Sequence, residues 1–248
     1  MFRRPLAITT LGGMTLDLPA PASLPPGLRV YAIGDVHGCA RRLAELHAAI
    51  AEDAEARPAP RIAILHLGDY VDRGPDSAAA LDLLLRGPPV PGAEQVLLRG
   101  NHEEMMLAAL AERSTPSVGF WLANGGLAAL DSYGASEDPN SWGLIPEAHV
   151  ALLRTLRLSW RAGGYLFVHA GLRPMIPLDR QDPADLTWIR EPFLSFLGDF
   201  GAVVVHGHTP IAAPVVRSNR IGIDTGAVYG GYLTCLVLEG DRMGFLVA

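Results

Sequence analysis

Asp69 and Asp72 stand three positions apart in Gly68-Asp69-Tyr70-Val71-Asp72-Arg73-Gly74, directly after the apolar run Ile62 to Leu67. A short apolar run bounded by glycine reads as a buried strand, so two carboxylates and an arginine emerge together at its carboxyl end. Ligands of open α/β sheets bind in crevices at that end. A bare carboxylate in apolar surroundings is costly, and each of these therefore needs a donor or a cation. A metal ion would satisfy both.

The design occurs twice more. Leu28 to Ile33 runs into Gly34-Asp35-Val36-His37-Gly38, and Gln95 to Leu98 runs into Arg99-Gly100-Asn101-His102-Glu103. Asp35 and Asp69 are 34 positions apart, and Asp69 and Asn101 are 32 apart, about the length of one βαβ unit. Three parallel strands would thus deliver their tips to one crevice. Two further apolar runs end in histidine: Tyr165 to Val168 before His169-Ala170-Gly171, and Ala202 to Val205 before His206-Gly207-His208-Thr209.

The connecting segments carry helical spacing. Leu43, Leu46 and Ile50 mark a first crossover helix from Cys39 to about Glu55, closed by Pro58 and Pro60. Asp76 is placed to cap a second, with Ala78, Leu81, Leu84 and Leu85 inward. A third runs from His102 to about Arg113, and short helices follow to residue 157, with Trp121 and Trp142 expected in the core or cap. Ile221 to Ile223, Leu233 to Leu238 and Phe245 to Val247 read as a meander turning at Gly230-Gly231 and Gly240-Asp241. An early βαβ half and a β-rich half imply two sheets meeting around one site. Residues 1–27, ending in a proline-rich stretch, read as an arm or linker. Its apolar N-terminal part is interrupted by Gly12, Gly13 and Asp17, which disfavours a cleaved signal peptide.

The chain has 248 residues, 49% of them apolar, which suits one large core. No apolar run approaches the ~18 residues that span a bilayer, so no membrane partner is expected. A net charge of −6 argues against a nucleic-acid footprint. All twenty basic residues are arginine, which removes Schiff-base and phosphate-loop lysine chemistry. Two cysteines, Cys39 and Cys235, are too few for a disulfide framework and suit a reducing cytoplasm. Nothing in the sequence fixes an oligomeric state.

GDVHG, GDYVDRG, GNHE, HAG and HGHT, in that order, resemble the phosphoprotein phosphatase family of calcineurin-like metallophosphoesterases, over roughly residues 28 to 239. Within it, NGGLAALDSYG and DTGAVYGG are most similar to small bacterial and phage serine/threonine phosphatases. The resemblance implies an α/β fold of two mixed sheets packed as a sandwich flanked by helices. It forms a single domain over 28–248 with a small helical cap at roughly 104–160. It also implies two divalent transition-metal ions, Mn²⁺ first and Fe or Zn²⁺ as alternatives. Asp35 and His37 would hold one, Asp69 would bridge, and Asn101, His169 and His208 would hold the second. Alignment of the Gly-His step selects His208 over His206. His47, His66 and His149 fall outside the motifs and read as satisfied core or surface histidines.

The same resemblance assigns His102 as general acid, Asp72 as its orienting partner, and Arg73, Arg190 and Asn101 to the substrate phosphate. It implies hydrolysis of phosphoserine or phosphothreonine in phosphoprotein or phosphopeptide substrates, by direct attack of a hydroxide shared by the ions. The competing reading is a symmetrical bis(5'-nucleosyl)-tetraphosphate hydrolase, a group that typically has alanine where this chain has Asp72. A phosphodiesterase would usually show GHxH where this chain has Gly207-His208-Thr209-Pro210. A non-catalytic scaffold would have lost ligands, and this chain has lost none.

Overall fold

Alternation along the strands decides the layers. The computed structural model describes residues 16–248. In β2 (Leu28–Ile33), Val30 and Ala32 face one side and Tyr31 and Ile33 the other, all buried. A strand apolar on both faces must be covered on both. Parallel to it run β3 (Arg61–His66) and then β4 (Glu94–Leu97). On its other side β10 (Thr234–Glu239) and β11 (Arg242–Val247) are antiparallel, with β1 (Leu18–Pro19) at the edge, so the order is β1-β11-β10-β2-β3-β4. The second sheet contains β5 (Ser159–Ala162), β6 (Tyr165–Val168), β7 (Val203–His206), β8 (Val215–Val216) and β9 (Arg220–Gly222), in the order β5-β6-β7-β9-β8. Its three central strands are parallel and its edges antiparallel.

Between the sheets pack Val30, Ala32, Ala63 and Leu65 from one and Phe167, Val203, Val205 and Ile221 from the other. Tyr31, Ile33 and Ile64 on the outer face of the first sheet meet Leu43, Leu46 and Ile50 of α1 (Ala40–Ala56) and Leu81 and Leu84 of α2 (Ser77–Leu85). Beyond the second sheet, Leu166, Val168 and Val204 are covered by Leu186, Ile189 and Phe193. The result is the mixed-sheet α/β sandwich expected from the motifs. A run of helices follows β4: α3 (Asn101–Glu112), α4 (Thr115–Trp121), a π turn at Leu122–Gly126, α5 (Leu127–Ser132) and α6 (Glu147–Thr155), with α5 and α6 packed on α2. Trp121 and Trp142 meet edge-on in the core, 5.7 Å between rings. No helix of the described residues is long and apolar enough to cross a membrane.

Three local expectations are corrected. Asp76 caps α2 through the Ala79 N–H at 2.9 Å, but the inner face is Ala80, Leu81 and Leu84. Leu85, the last helical residue, has rotated toward solvent. The meander is absent: β9 pairs with β7 in the second sheet, the chain then crosses to the first, and of the three expected strands just β10 and β11 pair with each other. Apolar period alone does not say which sheet a strand joins. The arm is built into the sandwich over its described part, since Leu18 lies opposite Met243, Leu24 is buried, and the Tyr165 hydroxyl donates to the Ala22 carbonyl at 2.6 Å. Residues 1–15 of that arm lie outside the described residues.

His149 bonds Tyr133 and Asp82, as a satisfied histidine should. His47 of α1 and His66 of β3 meet in the core with their Nε2 atoms 3.0 Å apart, so the pair holds one proton between them. Burial pushes His47 down to about 4, and burial together with His47 holds His66 well below the ordinary value. An unfolded histidine titrates near ~6.5, so as pH falls from there to about 4 the unfolded chain binds more protons and stability drops. His47→Gln, which keeps a polar partner for His66, should make the loss of unfolding free energy between about pH 7 and about pH 5 shallower, by up to one proton in slope. Urea denaturation at both pH values measures this, and an unchanged slope would refute it.

Candidate active site

The strand ends converge because their turns are stitched by backbone bonds. Val36 and His37 donate to the Asp69 carbonyl at 3.0 and 2.7 Å, Gly38 to Tyr70 at 2.8 Å, and Asp76 back to Gly38 at 3.0 Å. A Cβ at Gly74 would overlap the His37 carbonyl, so only glycine lets these turns approach. Five site residues hold left-handed backbone: His37 (φ 43°), Asp69 (φ 52°), Asp72 (φ 72°), Arg73 (φ 66°) and His208 (φ 63°). Each such conformation costs about 1–3 kcal/mol and persists only where surroundings enforce it. Glu103, fully buried at the start of α3, is the main enforcer here. Its carboxylate accepts from the backbone N–H groups of Asp69 (2.9 Å), Gly100 (2.8 Å) and Tyr70 (2.7 Å), with Val71 at 3.4 Å.

Asp69 is 1% exposed and lies at the centre. Its Oδ2 is 3.4 Å from His37 Nε2 and its Oδ1 is 3.4 Å from His169 Nε2. Two groups of side chains share it: His37, Asp69 and His102 on one side, Asp69, His169 and His208 on the other. The Asn101 side-chain oxygen joins the second group, 3.1 Å from His169 Nε2 and 2.9 Å from His208 Nδ1. Asp35 approaches from behind Gly207, its Oδ2 accepting the His208 N–H at 3.0 Å.

Each of three histidines is anchored by one ring nitrogen on a backbone carbonyl. His37 Nδ1 donates to Val71 at 2.9 Å, His169 Nδ1 to Leu67 at 3.0 Å, and His208 Nε2 to Trp188 at 3.1 Å. The opposite nitrogen of each is turned to the cluster, the orientation that metal ligation uses. Asp35 Oδ1 and His102 Nε2 are buried with no hydrogen-bond partner. Burial, with Asp224 and Asp69 beside it, pushes the Asp35 carboxyl well up. Burial also raises Asp224 to about 6 and Glu103 to about 7. His169 behaves oppositely: burial works against its charge, yet Asp69 holds it at about 10. So many buried carboxylates around so few cationic side chains fit a site completed by metal ions.

His102 lies against this cluster, its ring 4.6 Å from that of His37. Its Nδ1 is 2.7 Å from Asp72 Oδ2, and the other Asp72 oxygen accepts the Trp121 indole N–H at 2.9 Å. Burial drives His102 to about 4 and the Asp72 carboxyl well up. Both shifts describe one proton between Nδ1 and Oδ2, and the Trp121 donor favours leaving it on the ring. Arg73 extends from the same turn, with Nη1 2.8 Å from His37 Nε2 and its guanidinium 5.9 Å over the Tyr229 ring. Arg190 is exposed just beyond α7 (Pro183–Trp188), its charge felt at His208. His206 points away, against Phe193 and 3.3 Å from the Arg220 guanidinium. Cys39 is half-buried against the core, its thiol pushed up by burial.

The sequence analysis assigned Glu103, Asp224 and Tyr229 no role and placed Trp121 in the core or cap without a part in the site. Glu103 could have been found as the acid three residues after the Gly100 N-cap. The other three act across long sequence separations and carry no local signal.

The profile of the calcineurin-like phosphoesterases matches residues 28–233. The chain belongs to that family. It is 31% identical over 219 residues to "Serine/threonine-protein phosphatase 1" of Salmonella typhimurium (strain LT2), covering 83% of this chain and 89% of that protein. To "Bis(5'-nucleosyl)-tetraphosphatase, symmetrical" of Janthinobacterium sp. (strain Marseille) it is 28% identical, covering 87% and 94%. A crystal structure of a proposed diadenosine tetraphosphatase superposes with a TM-score of 0.63 at 25% identity, covering 92% of this chain and 98% of that one. The family makes this chain a hydrolase of phosphate esters with a metal-binding site; its relatives divide between two substrate classes.

Glu103→Ala would leave the buried N–H groups it holds without an acceptor, at about 1–3 kcal/mol each. It should lower the unfolding free energy by at least ~3 kcal/mol, and Glu103→Gln, which keeps one acceptor oxygen, by less. Denaturant titration reads both; a loss below ~1 kcal/mol for the alanine variant would contradict the clamp.

Proposed function

We propose that this chain is a metal-dependent phosphomonoesterase acting on phosphoserine and phosphothreonine in proteins. The observation that carries the reading is the Asp72–His102 pair, joined at 2.7 Å with His102 Nε2 free beside the cluster. A serine or threonine alkoxide leaves poorly and needs a proton as the P–O bond breaks. The nucleoside diphosphate released from a symmetrical tetraphosphate leaves well without one, so a buried acid pair serves the first substrate better than the second. The Salmonella relative supports the same choice, and the tetraphosphatase relatives supply the alternative.

Asp35, His37 and Asp69 would hold one ion, and Asp69, Asn101, His169 and His208 the other. This mix of imidazole and oxygen donors suits Mn²⁺, Fe or Zn²⁺ better than Mg²⁺ or Ca²⁺. When bound, such a pair lowers the pKa of a water between the ions and neutralises phosphoryl charge. The chain's own residues do the rest. Arg73 and Arg190 grip phosphate oxygens as planar forks, with the Asn101 amide beside them. Asp72 holds the Nδ1 side of the His102 ring and so turns Nε2 toward the site; a proton taken up on Nε2 with the substrate in place would pass to the departing seryl oxygen.

Kinetics on phosphoserine, phosphothreonine and phosphotyrosine peptides and on diadenosine tetraphosphate test the class. A kcat/KM at least ~100-fold higher on the phosphoserine or phosphothreonine peptide is expected; the reverse preference establishes the tetraphosphatase reading. With metal content unchanged, His102→Asn should cut kcat on the phosphoserine peptide by about 10²–10⁴-fold and far less on an aryl phosphate, whose phenolate departs unaided. Equal losses on both esters would withdraw the acid role.

A further inference from the structure

Glu104 follows the GNHE motif on α3 and has no part in the roles above, yet its side chain crosses to the opposite wall of the site. Its Oε2 accepts the Trp188 indole N–H at 3.0 Å and the Thr187 hydroxyl at 3.2 Å. The Trp188 backbone carbonyl faces His208 Nε2 at 3.1 Å, and the Asn101 side-chain oxygen faces Nδ1 of the same ring at 2.9 Å, so the two acceptors compete for the single ring proton. The indole meets the His208 ring edge-on at 6.4 Å and stacks on Phe120 of the cap at 6.0 Å. Two residues earlier, the Leu186 carbonyl accepts the Ala170 N–H at 2.8 Å, next to His169. Arg190 lies two residues later.

The geometry points to Glu104 as a positioning residue: by latching Trp188 to α3 it holds in place the carbonyl that draws the His208 proton to Nε2 against Asn101, and it sets where the Arg190 segment lies. The inference rests on the metallophosphatase reading for the role of His208. Its bland rival is an acid in the first turn of α3 that merely complements the helix dipole. That role needs a negative charge, whereas the latch needs only an acceptor oxygen. Glu104→Gln keeps the acceptor and loses the charge; Glu104→Ala loses both. Trp188→Phe deletes the donor and keeps the backbone carbonyl.

The test compares the full chain and these three variants by two readouts, with thermal unfolding as a folding control. Nitrogen-15 NMR of the imidazoles in chelator-treated protein reports the His208 tautomer, and calorimetric titration with Mn²⁺ reports ion affinity. The latch predicts the Nε2–H tautomer in the parent chain and Glu104→Gln, and a mixture in Glu104→Ala and Trp188→Phe. It further predicts that these two variants weaken one Mn²⁺ ion by about 10–100-fold, the size typical of losing an outer partner of a ligand, and leave the other unchanged. KM for a phosphopeptide should rise in both through displacement of Arg190. An unaltered tautomer in Glu104→Ala, or a Glu104→Gln variant as impaired as Glu104→Ala, overturns the inference. A parent chain that binds no pair of ions would instead overturn the metallophosphatase reading, and the tautomer comparison, made without ions, would still decide the latch.

Discussion

The Asp69 carboxylate is held out of water at the meeting point of two sheets, and the rest of the structure answers to that. Asp35, Asp72, Glu103 and Asp224 are buried with it. An isolated carboxylate in such a place would neutralise itself. Asp69 does not, because His169 at 3.4 Å takes the charged form and holds Asp69 well below the usual carboxylate range. The Asp35 carboxyl, left without comparable help, is driven up. The protein's own cations thus cover Asp69 and leave its neighbours short. Added positive charge beside Asp69, with His169 giving up its extra proton, would remove that shortfall, and the anchored rings of His37, His169 and His208 are already turned toward it.

Such a site has to be rigid, and the backbone bears the cost. Left-handed turns at five of the functional residues are unfavourable one by one, and they survive because other parts of the fold over-determine them. Glu103 ties the N–H groups of Asp69 and Tyr70 to the start of α3, where it also accepts from Gly100. The segment from α4 to the π turn contributes as well, with the Gly125 carbonyl accepting the Arg73 N–H at 3.0 Å and Trp121 fixing Asp72. The sandwich core supplies the stiffness on which both depend. Chemistry at strand ends, strain in the turns and a dry core behind them are therefore one arrangement seen at three scales.

The parts of this arrangement that lie within a few residues of each other were legible in the sequence. Three carboxylate or amide clusters at βαβ spacing, each behind an apolar run, already required parallel strands and a shared crevice, and the structure brings all of those residues together. What the sequence concealed is contact at a distance. Trp121 reaches Asp72 across 49 positions and His208 reaches Asp35 across 173, and no periodicity encodes such pairs. The choice between His206 and His208 is similar: two residues apart on a regular strand they would face the same way. The chain leaves β7 at Gly207 and turns left-handed at His208, which swings one ring into the site and leaves the other against Phe193. The arm and the misplaced β9 strand share that cause, since apolar alternation marks a strand without naming its neighbour.

The central claim is that Asp69 is a shared carboxylate whose burial is balanced by two transition-metal ions. Elemental analysis of the purified parent chain and of Asp69→Asn, with fold checked by circular dichroism, tests it most directly. Two ions per parent chain and the loss of both in Asp69→Asn are expected, because the amide removes the anionic ligand common to the two groups. A folded Asp69→Asn protein that keeps its full complement of metal, or a parent chain that holds none when purified with Mn²⁺ present, would contradict it.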